Sequence, residues 1–147
     1  MLDLAINYYA VLGAGILGVV LGMLWYGPIF GKTWMKEMGV TPEEVAAFRS
    51  DKKKMNEMNR NYVIVAISSF VLAFVLNLIL ILTAAYTQTL SLTIGLTVSF
   101  WVWIGFIVPV TLNGVLWEGK SIKYWIIVSG YYLVSLTLMS MILAYWM

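Results

Sequence analysis

The sequence predicts an all-α integral membrane protein, a four-helix bundle with an extra amphipathic cytoplasmic helix in its first loop. Three observations lead there. Of the 147 residues, 62% are apolar before glycine is counted, where an average soluble domain holds roughly 45–50% with glycine included. Charged residues make up 11% against a usual ~25%, too few to cover a soluble globule of this size. The charges are also gathered into short stretches, leaving long runs without any.

Those runs mark the spans. Leu4 to Gly31 is 28 residues without a charge, enough for one crossing of a ~30 Å hydrocarbon core. Asn61 to Trp117 is 57 charge-free residues; as one helix it would be about 85 Å long, so it must turn back. The threonine-rich stretch from Thr83 to Thr93 is the best place for that turn. Tyr124 to Met147 supplies 24 more. Spans are expected at about 4–26, 62–82, 92–115 and 124–146, within a single transmembrane domain over 1–147. Continuous apolar character without strict alternation argues against a transmembrane barrel. The first span starts beside Asp3, is too long for a signal-peptide core and precedes no small-x-small cleavage site, so it is expected to stay as a permanent helix.

Lysine and arginine set the orientation. Lys32, Lys36, Arg49, Lys52, Lys53, Lys54 and Arg60 lie between spans 1 and 2, and Lys120 and Lys123 between spans 3 and 4. Four spans put both connections on one side, which is expected to be cytoplasmic, with both termini outside. In the first connection, Thr41-Pro42-Glu43-Glu44 has the form of a helix start: N-cap threonine, proline in the first turn, glutamate three after the cap. The helix is expected over about 42–60 and could continue into span 2. Its lysines either rest on anionic headgroups or serve in a solvated connector that enforces orientation.

Missing residue types exclude much. The chain has no histidine and no cysteine. That removes Ser-His and Cys-His nucleophile pairs, histidine-ligated zinc or haem, iron–sulfur clusters and disulfides. The nine methionines are flexible apolar filler before they are soft-metal ligands. No metal or cofactor is expected. The spans hold no Asp, Glu, Lys or Arg, which argues against a proton relay or ion-coupled carrier. The basic residues sit beside a membrane without a nucleic-acid-binding motif, so nucleic acid is not an expected partner.

Three groups of residues are candidates for function. Ala10, Ala14, Gly18 and Gly22 form a row of small residues spaced by four, suited to close helix packing within the chain or with a second copy. Asn77, Thr97, Ser99 and Ser140 are expected at a common depth, as an interhelical hydrogen-bond layer or a polar ligand or water site. Pro109 removes a donor opposite Gly105 and is expected to kink span 3, as a plain bend or as the opening of a cavity. At the cytoplasmic interface, Trp25, Tyr26, Pro28, Lys32, Trp34, Asn113 and Glu118 are expected to come together. They form either an aromatic belt with snorkelling lysines and a weak Lys32–Glu118 ion pair, or a pocket at headgroup level.

The blocks WYGPIFGKTW at 25–34, TPEE at 41–44 and LWEGKS at 116–121, followed by a last span ending in Trp146, resemble the bacterial membrane-protein family filed as domain of unknown function 1761. The similarity covers essentially the whole chain, and its first block is the most specific. It implies a small four-span inner-membrane protein, with Trp25, Tyr26, Pro28, Gly31, Lys32, Trp34 and Glu118 as characteristic positions. It carries no activity, substrate or catalytic residue.

Three functions are consistent with the sequence. The first is a non-enzymatic protein that sits in the lipid bilayer, self-associates as a homo-oligomer, and binds lipid or passes a small solute. The second is a membrane enzyme acting on a lipophilic substrate at the cytoplasmic interface, with Glu118 as acid or base and Tyr26 or a lysine as helper. The third is an accessory subunit of a larger membrane complex.

Overall fold

The computed structural model describes residues 5–89 and 91–146. The described chain is all-α, with four helical stretches long and apolar enough to cross a membrane: Tyr8–Ile29, Lys52–Thr87, Leu92–Leu116 and Ile122–Trp146.

The first stretch opens with Asn7, whose side chain caps α1 (Tyr8–Leu24) by accepting from the amides of Tyr9 and Ala10. Its amide nitrogen also donates to the carbonyl of Trp146 at 2.9 Å, which ties the start of the first span to the end of the last. Beyond α1 the helix widens into a π turn over Trp25–Ile29. Pro28 lacks the amide that an α-helical bond would need, and Gly27 leaves the helical region altogether at φ −102°, ψ −105°. The chain recovers through a bond from Phe30 N back to Trp25 O, five residues earlier, and then bends into a short helix, α2 (Gly31–Glu37).

Helix α3 (Pro42–Ser50) begins at the Thr41 motif, and its capping box closes both ways: Thr41 Oγ1 accepts from Glu44 N, and Glu44 Oε2 from Thr41 N. The loop helix expected over 42–60 does not run through. Asp51 is extended at φ −93°, ψ 109° and accepts from the amides of Lys53 and Lys54, so it caps a new helix. Aspartate is a strong N-cap, and here it prevails over helix propensity on either side. Residues 52–60 therefore belong to α4 (Lys52–Thr87), whose 36 residues are about 54 Å long on the ~1.5 Å rise, well beyond a bilayer core.

The turn expected over 83–93 is also shorter. Thr83 and Thr87 stay helical, and each satisfies its hydroxyl on a carbonyl four residues back, Ile79 O and Thr83 O. Helix α4 ends on the left-handed Gln88. Ser91 then caps α5 (Leu92–Val102). A second π turn, Trp103–Ile107, precedes α6 (Val108–Leu116), with Pro109 in the first turn of α6. The missing donor of Pro109 is thus absorbed by a widened turn centred on Gly105, where the sequence places a kink. Ser121 accepts from Tyr124 N at the head of α7 (Ile122–Trp146).

Helix α7 touches each of the other spans; α1 packs against α4 and α7, and α5 against α7 and α4. Ala10, Ala14, Ala73, Leu76, Leu80, Leu136, Met139 and Leu143 are almost wholly buried where the helices meet. Large apolar side chains such as Ile16, Val20, Val63, Ile67, Trp101 and Phe106 are exposed. Lipid removes the hydrophobic gain that would draw them inward, and small residues take the interfaces instead.

Candidate functional site: the basic end of the spans

The small-residue row of α1 is taken up within the chain. A Cβ on Gly18 would overlap the Met139 methyl and the Ser69 hydroxyl, and one on Gly22 would come within 3.3 Å of Tyr131 OH. Close approach also exposes backbone. Ser69 Oγ donates to Gly15 O at 3.0 Å and Tyr131 OH to Gly18 O at 3.1 Å, so two neighbouring spans hold α1 by its carbonyls.

Further down, the π turns act alike. Each opens on a tryptophan whose indole N–H crosses to α7. Trp25 donates to Ile127 O at 3.0 Å, and Trp103 donates to Ser129 O at 2.9 Å and Ser129 Oγ at 3.1 Å. Gly130, next to Ser129, leaves room for the Trp25 ring, which a Cβ there would meet at 3.5 Å. Trp125 of α7 returns a bond to Thr111 Oγ1 of α6 at 3.1 Å.

Of the seven interface candidates, Trp25, Tyr26 and Trp34 enter one aromatic cluster. Tyr26 lies 5.6 Å from Trp34 and 5.3 Å from Tyr131, and Trp25 lies 4.7 Å from Phe30 and 6.3 Å from Tyr131, in tilted and edge-on pairs. Pro28, Lys32, Asn113 and Glu118 are exposed and take no part in it. Gly31 is needed for the bend: a Cβ there would stand 2.5 Å from Tyr26 O. Lys32 and Glu118 do not pair. The acid that bridges the connections at this end is Glu37, which accepts from Ser121 Oγ at 2.5 Å and meets Lys123 Nζ at 3.9 Å. Beside it, Lys120 Nζ contacts Met38 Sδ at 3.6 Å and lies over the Tyr124 ring. Glu37 thereby joins the two basic connections, a role hidden in the sequence because it is one acid within a charge-rich loop. Tyr131 and Phe30 were equally hidden among apolar neighbours.

An open groove of about 640 Å³ lies where α2 turns into α3, lined by Lys32, Met35, Lys36, Val40, Pro42 and Val45 among others. Lys32 is the one interface candidate it contains.

In the half of the spans away from the basic end, Asn77, Ser99 and Ser140 are almost wholly buried, whereas Thr97 is exposed and bonds Thr93 O of its own helix. Ser99 and Ser140 also bond their own helices, at Leu96 O and Thr137 O. Among the described residues, Asn77 Oδ1 and Nδ2 are the buried side-chain polar atoms without a partner.

The family model described as protein of unknown function DUF1761 matches residues 9–144. The chain belongs to this family. The match takes in the aromatic cluster, the Glu37 junction and all but the outermost residues of the four spans. No curated protein and no solved structure matches the chain.

Proposed function

We propose that this member of the DUF1761 family is a non-enzymatic protein of the bacterial inner membrane that binds anionic lipid at its basic, cytoplasmic end, with both termini outside. One observation carries the reading: Glu37 ties the two basic connections together at one end of apolar spans, and leaves Lys32, Lys36, Arg49, Lys52, Lys53, Lys54 and Arg60 exposed around them. Each lysine or arginine held near an anionic leaflet contributes about 1 kcal/mol of attraction. Lipid binding is favoured over solute passage because Leu76, Leu80, Leu136, Met139 and Leu143 fill the space among the spans of one chain. Self-association, should the protein act as a homo-oligomer, needs a face other than the Ala10–Gly22 row, which its own helices occupy.

The test is native mass spectrometry of the protein released from nanodiscs containing phosphatidylcholine with a minority of phosphatidylglycerol. The expected result is retention of phosphatidylglycerol above its share of the bilayer; retention in proportion to that share refutes the reading, and the same spectrum gives the copy number. Orientation has its own check, since the chain has no cysteine to mask a label. A membrane-impermeant maleimide should reach Gln88→Cys in intact cells and Ser50→Cys only after permeabilisation. The reverse pattern would invert the topology.

A further inference from the structure

Helix α2 has two faces in different company. On one, Trp34 packs against Tyr26, Glu37 holds Ser121 and Lys123, and Met38 at its end meets Lys120. Spacings of three and four put these residues on one side of the helix, docked against the ends of the spans. Lys32, Met35 and Lys36 occupy the other side and form one wall of the α2–α3 groove. Both lysines are exposed, one turn apart, and neither has an acidic partner among the described residues. Like charges at this spacing repel. Apart from Gly39 and Thr41, the rest of the groove is apolar, from Met35, Val40, Pro42 and Val45. Its depth is set as well, because Lys32 is the first charge after 28 charge-free residues and α2 lies against the start of α7.

We propose that this groove seats one anionic phospholipid, with its phosphate between the ammonium groups of Lys32 and Lys36 and its first acyl methylenes over Val40, Pro42 and Val45. Two cations one turn apart form charge-assisted hydrogen bonds to the oxygens of one phosphate, and the anion relieves their mutual repulsion. The apolar wall distinguishes a lipid from a free phosphate, which would leave that surface uncovered. A zwitterionic lipid returns a positive charge to the lysines, so the site prefers phosphatidylglycerol over phosphatidylcholine. The proposal rests on the lipid-binding reading above and narrows it to one groove.

The experiment compares phosphatidylglycerol retention from the same mixed nanodiscs for the wild type, Lys32→Gln/Lys36→Gln, and Lys53→Gln/Lys54→Gln, which loses equal charge on α4. Thermal unfolding of each confirms the fold. The groove variant is expected to lose retention on the order of tenfold, while the α4 variant, which gives up long-range attraction but no contact with the seated lipid, loses clearly less than the groove variant. Val45→Asp, which leaves the lysines in place and puts an anion on the apolar wall, is expected to lose retention too. Equal losses in the two lysine variants, or wild-type retention in Val45→Asp, overturn the groove while lipid binding stands. A wild type without preference for phosphatidylglycerol overturns both.

Discussion

The half of the spans away from the basic end and the half nearer to it handle polar groups in opposite ways. In the far half, Thr97, Ser99 and Ser140 satisfy themselves on carbonyls of their own helices, and Asn77 is satisfied by nothing. From the midpoint to the basic end, Trp25, Trp103, Trp125 and Tyr131 donate across helix boundaries. The difference is reach. A short hydroxyl in a helix finds the carbonyl three or four residues back before anything on a neighbour, while an indole or phenol carries its donor several ångströms outward. Ser69 is the instructive exception: it crosses to Gly15 O because the small residues of α1 bring the two backbones together.

On this account the largest effect comes from separating the backbones. Gly18→Leu must displace Ser69 and Met139 and would strand the Tyr131–Gly18 bond. A loss of about 3 kcal/mol is expected, measured by unfolding in mild detergent, and a near-wild-type midpoint would show that α1 does not depend on close approach. Next comes the loss of a long donor. Trp103→Phe removes an N–H shared by Ser129 O and Oγ and shrinks the ring, at an expected cost of about 1.5 kcal/mol. The smallest effect is expected in the half away from the basic end. Asn77→Leu keeps the branch at Cγ and replaces a buried amide that has no partner, so stability should hold or rise by up to ~1 kcal/mol. A clear loss for Asn77→Leu, matching that for Trp103→Phe, would erase the contrast and reveal a partner for the amide.

Much of the frame was legible along the chain. The charge-free runs separate four membrane-length helices, and the Thr41 motif marks where α3 begins. Local chemistry explains the places where the structure departs from that reading. Asp51 caps α4 where the helix was expected to continue, and the hydroxyls of Thr83 and Thr87 fold back into α4 where a turn was expected. The candidate site was less legible. Trp25, Tyr26 and Trp34 converge, but the acid that joins the connections is Glu37 rather than Glu118.

By itself, then, the sequence determined the class of the protein, its membrane-length segments and the gathering of its charges. These follow from comparing the length of each uncharged run with the thickness of a bilayer, which needs only one dimension. Tertiary structure alone decided that Gly18 faces Ser69 and Met139, that Trp25 and Trp103 reach α7, and that Asn77 is enclosed without a partner. Those outcomes depend on how far each helix is rotated about its axis and how deep it sits beside its neighbours. A span that is apolar on every side carries no stripe to say which face turns inward, so close packing of the four helices settles it.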